Sequence, residues 1–333
     1  METSKTDKTN SNQRDVLPWV SIIVPCYNGE KTIKQTLESA VGQDYQNVEV
    51  LVIIDESSTD NTLAKAKEVD SDKIKIITVD ACSPCRKRNL GFERSRGQYI
   101  QYLDADDLLS KDKISKQVEA LSKTERSDVL AVSRWMHFDQ SPESPAANTQ
   151  YVYKDYKPAY GVLVDMWLKG EMIQTSCWLT SRELVTAAGP WNEDLEKNPN
   201  DDGEFFCRVV LKASELVYTP EGAVLYRRPL SQNASQSKST TSVESILRSY
   251  QSYEAILDFD SSERTKKGLS NMYLLFIYNY FNNFPKLAKE AEDSIKRLGI
   301  NGLEYHSGGP FDRISQFVGF KNALRLRKLF RGF

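Results

Sequence analysis

The chain has 333 residues, 40% hydrophobic and 27% charged, with a formal net charge of −2, which describes an ordinary globular protein. That balance gives no bulk electrostatic case for a nucleic-acid partner. No apolar run approaches the ~20 residues a membrane-spanning helix needs. The start, Met1 to Asp15, is polar without an apolar signal-peptide core and reads as a disordered tail. Five cysteines, an odd number, fit a reducing cytoplasm better than a disulfide framework. Cys82-Ser-Pro-Cys85 has the spacing of half a zinc site, but no second pair accompanies it. The pair is read as two free thiols in a loop.

Val20-Ser-Ile-Ile-Val-Pro25 is a short apolar run closed by Pro and Gly29, hence a buried strand and a turn. From Thr32 to Val41, Ile33, Leu37, Ala40 and Val41 recur at helical spacing. Val48 to Asp55 is a second buried strand, and Ser58-Thr59-Asp60 supplies caps for a helix reaching Val69. Ile74 to Thr78 is a third strand, Arg86 to Arg96 a helix, and Tyr99 to Leu103 a fourth strand after Gly97. This alternation predicts a doubly wound, mostly parallel α/β sheet. Further strands are expected at Leu130–Phe138, Tyr151–Tyr153, Thr175–Leu179, Leu216–Tyr218 and Ala223–Tyr226, with short helices at Val162–Leu168 and Glu204–Leu211. The loops Gln140–Thr149 and Ser231–Thr241 suit lids that order over a ligand. Three helices follow over Val243–Leu257, Gly268–Phe284 and Leu287–Leu298. The end, Phe317–Phe333, mixes apolar and basic side chains; such a segment either lies on anionic lipid or docks on its own domain.

Chemistry-bearing residues gather at the strand ends. They are Pro25, Tyr27 and Asn28 after the first strand, Asp55 after the second, Arg88 in the third helix, and Asp104-Ala-Asp106-Asp107 after the fourth. In a doubly wound sheet these loops converge on the edge where ligands bind. Taken alone, Asp-x-Asp is more often a solvated turn, here one capping the helix near Lys113. Together the set forms a kit for a nucleoside diphosphate. Tyr27 suits stacking on the base, Asp55 accepting from a base N–H, and Arg88 neutralising phosphate. Asp106 and Asp104 suit Mn²⁺ or Mg²⁺ on the diphosphate oxygens. Asp106 is the better metal ligand, Asp104 also suits the ribose or a metal-bound water, and Asp107 suits support of the loop.

Residues 20–107 resemble the nucleotide-binding half of glycosyltransferase family 2, the GT-A fold. The matching pieces are Val20 to Glu30 with Thr36-Leu-Glu-Ser-Ala40 and Gln43, Asp55-Glu-Ser-Ser-Thr-Asp-Asn-Thr62, Arg88-Asn-Leu-Gly91, and Gly97 to Asp107, in order. The resemblance implies a GT-A-type, Rossmann-like domain over 16–240, with a nucleotide-binding half (16–107) and an acceptor half (108–240). A C-terminal helical extension (241–333) follows. It also implies a catalytic base opening a helix across the site, and Asp202 in Asn200-Asp201-Asp202-Gly203-Glu204 stands in that place. An acceptor hydroxyl is a poor nucleophile, so a carboxylate must take its proton; flanking acids raise the pKa of such a base. Capping of the following helix is the other role open to Asp201 or Asp202.

Two departures stand out. Asp80-Ala-Cys-Ser-Pro-Cys-Arg86 replaces the family's Gly-rich turn, and no histidine follows Tyr226-Arg-Arg228, so Arg227, Arg228 or the Ser-rich loop is left to contact phosphate. The Gln-x-x-Arg-Trp motif of processive members is absent. The implied activity is single, inverting transfer of a sugar from a nucleotide sugar, UDP-sugar favoured, to a glycan, lipid-linked or polysaccharide acceptor. Trp167, Trp178, Trp191 and Asp201 fall in the stretch facing the acceptor, where Trp faces suit sugar C–H patches. The expected location is cytoplasmic, with residues 317–333 leaving peripheral contact with the inner membrane face open. The competing readings are a non-catalytic nucleotide-sugar binder or scaffold, and a sugar nucleotidyltransferase.

Overall fold

The computed structural model describes residues 17–139, 141–195, 198–228, 239–300 and 309–329. The tail over 1–15, residues 231–238 of the Ser-rich stretch and the last four residues lie outside them. The first part runs β1 (Val20–Cys26), α1 (Ile33–Val41), β2 (Val48–Asp55), α2 (Thr62–Lys67), β3 (Ile74–Val79), α3 (Pro84–Arg94) and β4 (Tyr99–Tyr102). Next come β5 (Leu108–Leu109), α4 (Lys113–Ser122), β6 (Val129–Phe138), α5 (Gly161–Lys169), β7 (Trp178–Ser181), α6 (Arg182–Ala188), α7 (Asp201–Lys212) and β8 (Glu215–Arg227). Among the described residues five helices follow: α8 (Thr240–Ile256), α9 (Glu263–Tyr280), α10 (Pro285–Leu298), α11 (Pro310–Val318) and α12 (Phe320–Leu329).

The strands form one eight-stranded sheet in the order β3-β2-β1-β4-β7-β6-β8-β5. β3, β2, β1 and β4 are parallel. β7 pairs antiparallel with β4 and β6, whereas β6 and β8 are parallel. The chain order reverses beside β1, so β1 and β4 flank the switch point whose carboxyl edge binds ligands in such sheets. Every residue of β1 and β2 except Pro25 and Glu49 is buried, as expected for strands covered on both faces.

Several boundaries differ from the sequence reading, each for a local reason. α3 begins at Pro84, with Ser83 Oγ accepting from Arg86 N at 3.1 Å. Serine at the cap and proline in the first turn are strong start signals, and they place Cys85 inside the helix rather than in a loop. The two short strands expected at 216–218 and 223–226 are one strand, β8. The register slips opposite Ser133 and Arg134, where Pro220 lacks a donor and Gly222 takes φ +76, a β-bulge. Residues 151–153 turn instead of returning as a strand, and Tyr156 makes the bridge to Leu216.

The main core spans the sheet and the helices on it and takes in Tyr253 of α8, Leu257 just after it, and Leu269 and Met272 of α9. A second cluster joins α8 to α12 through Tyr273, Phe276, Phe311 and Leu324, with Tyr250 and Leu298 packed against both. The helical extension is thereby continuous with the sheet domain. Leu324 of the basic C-terminal segment is fully buried, while Phe317 is 89% exposed, so part of that segment's apolar face docks on its own chain. No helix among the described residues is long and apolar enough to cross a membrane.

Gly91 sets how closely α3 lies on β1: a Cβ there would sit 2.3 Å from Ile23 Cγ2. Gly91→Ala is therefore expected to lose about 1–3 kcal/mol by overpacking, read as a lower urea midpoint at unchanged m-value.

Candidate active site

The loops at the carboxyl edge are laced to one another by side chains. Asn28, at φ 50, accepts from Thr59 N through Oδ1 (2.8 Å), and its N–H reaches Ser58 Oγ. Thr62 Oγ1 accepts from Gly29 N at 2.7 Å, and Asp60 Oδ2 from Glu30 N at 3.0 Å. Register pairs Cys26 with Ile54 and so sets Tyr27 beside Asp55. Pro25, Tyr27, Asn28, Asp55, Arg88, Asp104, Asp106, Asp201 and Asp202 all line one cleft of about 1700 Å³. Tyr27 is 54% exposed, a ring free to meet a ligand.

Arg88 is not open to solvent. Its Nη2 donates to Asp104 Oδ1 and its Nη1 to Asp201 Oδ2, each at 2.9 Å. Its guanidinium carbon lies 4.3 Å from the Trp191 ring centroid, a stacked cation–π contact. Asn89 fixes that ring in turn, accepting from Trp191 N at 2.8 Å and donating to Trp191 O at 3.0 Å. Arg88, expected to neutralise phosphate, lines the cleft as a strut between the end of β4 and the start of α7.

Asp55, expected to accept from a base, is likewise engaged. Its Oδ2 lies 2.7 Å from Lys87 Nζ, and its Oδ1 accepts from Ser57 N and Oγ. Burial alone raises this carboxyl, but the hydrogen bonds from Lys87, Ser57 and Cys82 outweigh it and hold it at about 2. Lys87 was hidden in the sequence as one member of a basic run.

The Asp104–Asp107 turn divides as its surroundings dictate. Asp107 is fully buried and accepts from Arg227 N at 3.1 Å, and burial pushes its carboxyl well up. It holds the loop to β8. Asp106 faces the cleft, and burial with the neighbouring Asp104 charge raises it to about 6. Two neighbouring carboxylates, Asp106 largely desolvated and Asp104 part-exposed beside Arg88, offer hard oxygen donors of the kind that suits Mg²⁺ or Mn²⁺. Among the described residues no three acidic, His or Cys side chains form a complete metal cage. Arg227 crosses behind the turn, donating to Asp106 O at 2.9 Å and to Gln35 Oε1 at 2.6 Å. Arg228 is exposed at the cleft and pairs loosely with Asp139 at 3.6 Å.

Across the cleft, α7 opens with Asp201, Asp202 and Glu204 in its first turn, where acids complement the helix dipole. The N-cap is Asn200, whose own side chain makes no capping bond; Asp202 Oδ1 instead accepts from Gly203 N at 2.8 Å, satisfying one N–H of the first turn. Asp202 Oδ2 accepts from Thr175 Oγ1 at 2.9 Å. Burial, then the adjacent Asp201 charge, raises its carboxyl to about 6. Glu204 grips Arg208 through both oxygens at 2.8 Å, and Arg208 reaches Pro190 O, which anchors the turn ahead of α7.

The family model described as "Glycosyl transferase family 2" matches residues 21–185. By this domain the chain belongs to glycosyltransferase family 2. An uncharacterized glycosyltransferase of Haemophilus influenzae is 40% identical over 105 residues, 31% of this chain and 42% of that protein. WfgD of Escherichia coli, a UDP-Glc:alpha-D-GlcNAc-diphosphoundecaprenol beta-1,3-glucosyltransferase, is 38% identical over 105 residues, 31% of this chain and 41% of WfgD. The chain thus spans about two fifths of the length of these relatives. The structure of S. aureus TarS 1–349 in complex with UDP-GlcNAc superposes with a TM-score of 0.65 at 18% identity, over 94% of this chain and 91% of that one, which establishes the shared GT-A fold.

In this glycosyltransferase domain the expected acceptor-side tryptophans sit deeper than the sequence suggested. Trp191 is 1% exposed, stacked on Phe205 at 4.1 Å; it is the floor under Arg88, not a cleft wall. Trp178 lines the cleft but is 2% exposed and stacked on Phe206. Sequence reasoning missed Lys87, Thr175 and the wall supplied by α8 and α9, where Tyr250, Tyr253, Asn271 and Met272 line the cleft. Only the position of Thr175 in the extended run before Trp178 offered a signal.

Removing Lys87 tests the site's electrostatics. Asp55 has a folded pKa below the unfolded value of about 4, so its contribution is complete above that value and lost as pH falls through about 2. In Lys87→Met the Asp55 carboxyl should titrate clearly higher, seen by NMR of its side-chain carbon, with acid unfolding moved to higher pH. An unmoved midpoint would contradict the pairing.

Proposed function

We propose that the protein is an inverting glycosyltransferase that moves a sugar from a nucleotide-diphosphate sugar to a hydroxyl of a glycan-type acceptor. The observation that carries this reading is the pairing across Arg88. One guanidinium ties Asp104 of the β4 turn to Asp201 of α7, so the acidic turn and the Asp202 carboxylate face one cleft. Tyr27 is placed to stack on the base. UDP is the favoured nucleotide, supported by the UDP-GlcNAc complex of the TarS relative in fold. Asp106, with Asp104, would hold Mg²⁺ or Mn²⁺ against the diphosphate. Such an ion supplies neutralisation of charge on the leaving diphosphate.

The chain's own groups do the rest. Asp202 accepts the acceptor hydroxyl's proton as its oxygen attacks the anomeric carbon. Thr175 Oγ1 holds one Asp202 oxygen, orienting the carboxylate. A pKa raised to about 6 leaves Asp202 ionised at neutral pH yet more basic than an ordinary carboxylate. A single base opposite the leaving group is what inversion requires. Lipid-linked and polysaccharide acceptors both fit this chemistry, and the WfgD relative is named for a lipid-linked one.

Asp202→Asn should lower transfer about 10²–10⁴-fold with nucleotide-sugar binding retained, measured by calorimetry and product analysis against a panel of nucleotide sugars with Mn²⁺ or Mg²⁺. In the wild type, kcat/KM should fall as pH drops below about 6, because the protonated carboxyl cannot accept. Full transfer by Asp202→Asn would remove Asp202 as the base, and failure of every nucleotide sugar to bind would remove the enzyme reading.

A further inference from the structure

Donor chemistry and the base leave one wall of the cleft unexplained. The cleft extends along α5 and α9, where Met166, Met172, Met272 and Leu275 line it. Three of the chain's five methionines gather on this wall. Met172 is 50% exposed and Leu275 37%. Met272 is 6% exposed. Apolar side chains that line a cleft and stay partly exposed gain from being covered, as at a binding surface.

The side-chain types indicate what covers them. A sugar ring wants a flat aromatic face. The tryptophan on this wall, Trp167, has its ring stacked on Tyr253 at 5.7 Å and 12°, and Gly268 of α9 lies against it, where an added Cβ would sit 3.6 Å from Cε3. What the wall presents instead is thioether and aliphatic carbon. Methionine is unbranched and polarizable, and it moulds to flexible apolar partners. The same wall carries one exposed ammonium, Lys169, with its Nζ 4.7 Å from the Tyr151 ring centroid. A cation beside an apolar strip complements an anionic headgroup joined to a hydrocarbon.

Resting on the transferase reading of Asp202, we infer that the acceptor is an amphiphile: a sugar joined through an anionic linker to a hydrocarbon chain. Its sugar hydroxyl meets Asp202, its linker lies within the field of Lys169, and the first carbons of its tail run over Met172, Met272 and Leu275. A polymer acceptor without a tail would leave these carbons in water.

The test uses the full chain isotope-labelled at its methionine methyls, titrated in NMR with dodecyl diphosphate below its micelle concentration. Inorganic diphosphate is the control, and UDP binding is followed by calorimetry on the same sample. Met172 and Met272 signals should shift saturably with dodecyl diphosphate and stay in place with inorganic diphosphate, while Met136 does not respond. The double variant Met172→Gln/Leu275→Gln should weaken dodecyl diphosphate binding about tenfold or more and leave UDP affinity unchanged. Unmoved methionine signals, or equal shifts with inorganic diphosphate, would overturn the amphiphile while UDP binding kept the transferase reading in place. Failure of the wild type to bind UDP or any other nucleoside diphosphate with Mg²⁺ present would overturn both.

Discussion

The site depends on one guanidinium held between two carboxylates. Arg88 is buried, with both end nitrogens on Asp104 and Asp201 and its face on Trp191. Removing a charge from water is costly unless its partners are well placed; here the charge-assisted bonds at 2.9 Å and the indole face compensate. Because one partner follows β4 and the other opens α7, the ion pairs fix the β1–β4 half against the half that carries Asp202. Asn89, next in the chain, clamps the backbone of Trp191. Two adjacent residues of α3 thus set both the strut and the ring beneath it.

Around this strut the acids separate by environment rather than by type. Asp55, with Lys87 against it, is held at about 2. Asp106, crowded by Asp104 and desolvated, is raised to about 6, as is Asp202 beside Asp201. Asp201 spends its charge on Arg88, and Asp107 is sequestered under β8. One type of side chain is therefore held in different protonation regimes within one cleft, because burial and neighbours push their pKa values apart.

Local pattern and turn chemistry made the first half of the sheet readable. β1, β2 and β4 are apolar runs ending in polar residues, and α1 shows its buried face at Ile33, Leu37 and Ala40. Asp104, Asp106 and Asp202 were placed on one cleft by strand-end position and family resemblance. What sequence could not disclose was partnership. Arg88 and Asp55 carried the right chemistry for phosphate and base, but contacts 113 and 32 residues away engage them. Trp191 follows a turn, which suggested exposure, yet the aromatic cluster with Tyr102 and Phe205 draws it inward. The antiparallel β7 and the α8–α9 wall likewise come from long-range packing that no local period announces.

Equilibrium unfolding of Arg88→Met measures the strut directly. Leaving Asp104 and Asp201 without their cation should cost about 3–5 kcal/mol. Most of that loss should return in the triple variant Arg88→Met/Asp104→Asn/Asp201→Asn, in which no carboxylate is left facing a missing partner. An Arg88→Met protein as stable as the wild type, or a triple variant no more stable than Arg88→Met alone, would contradict the strut and with it the joining of the two halves of the cleft.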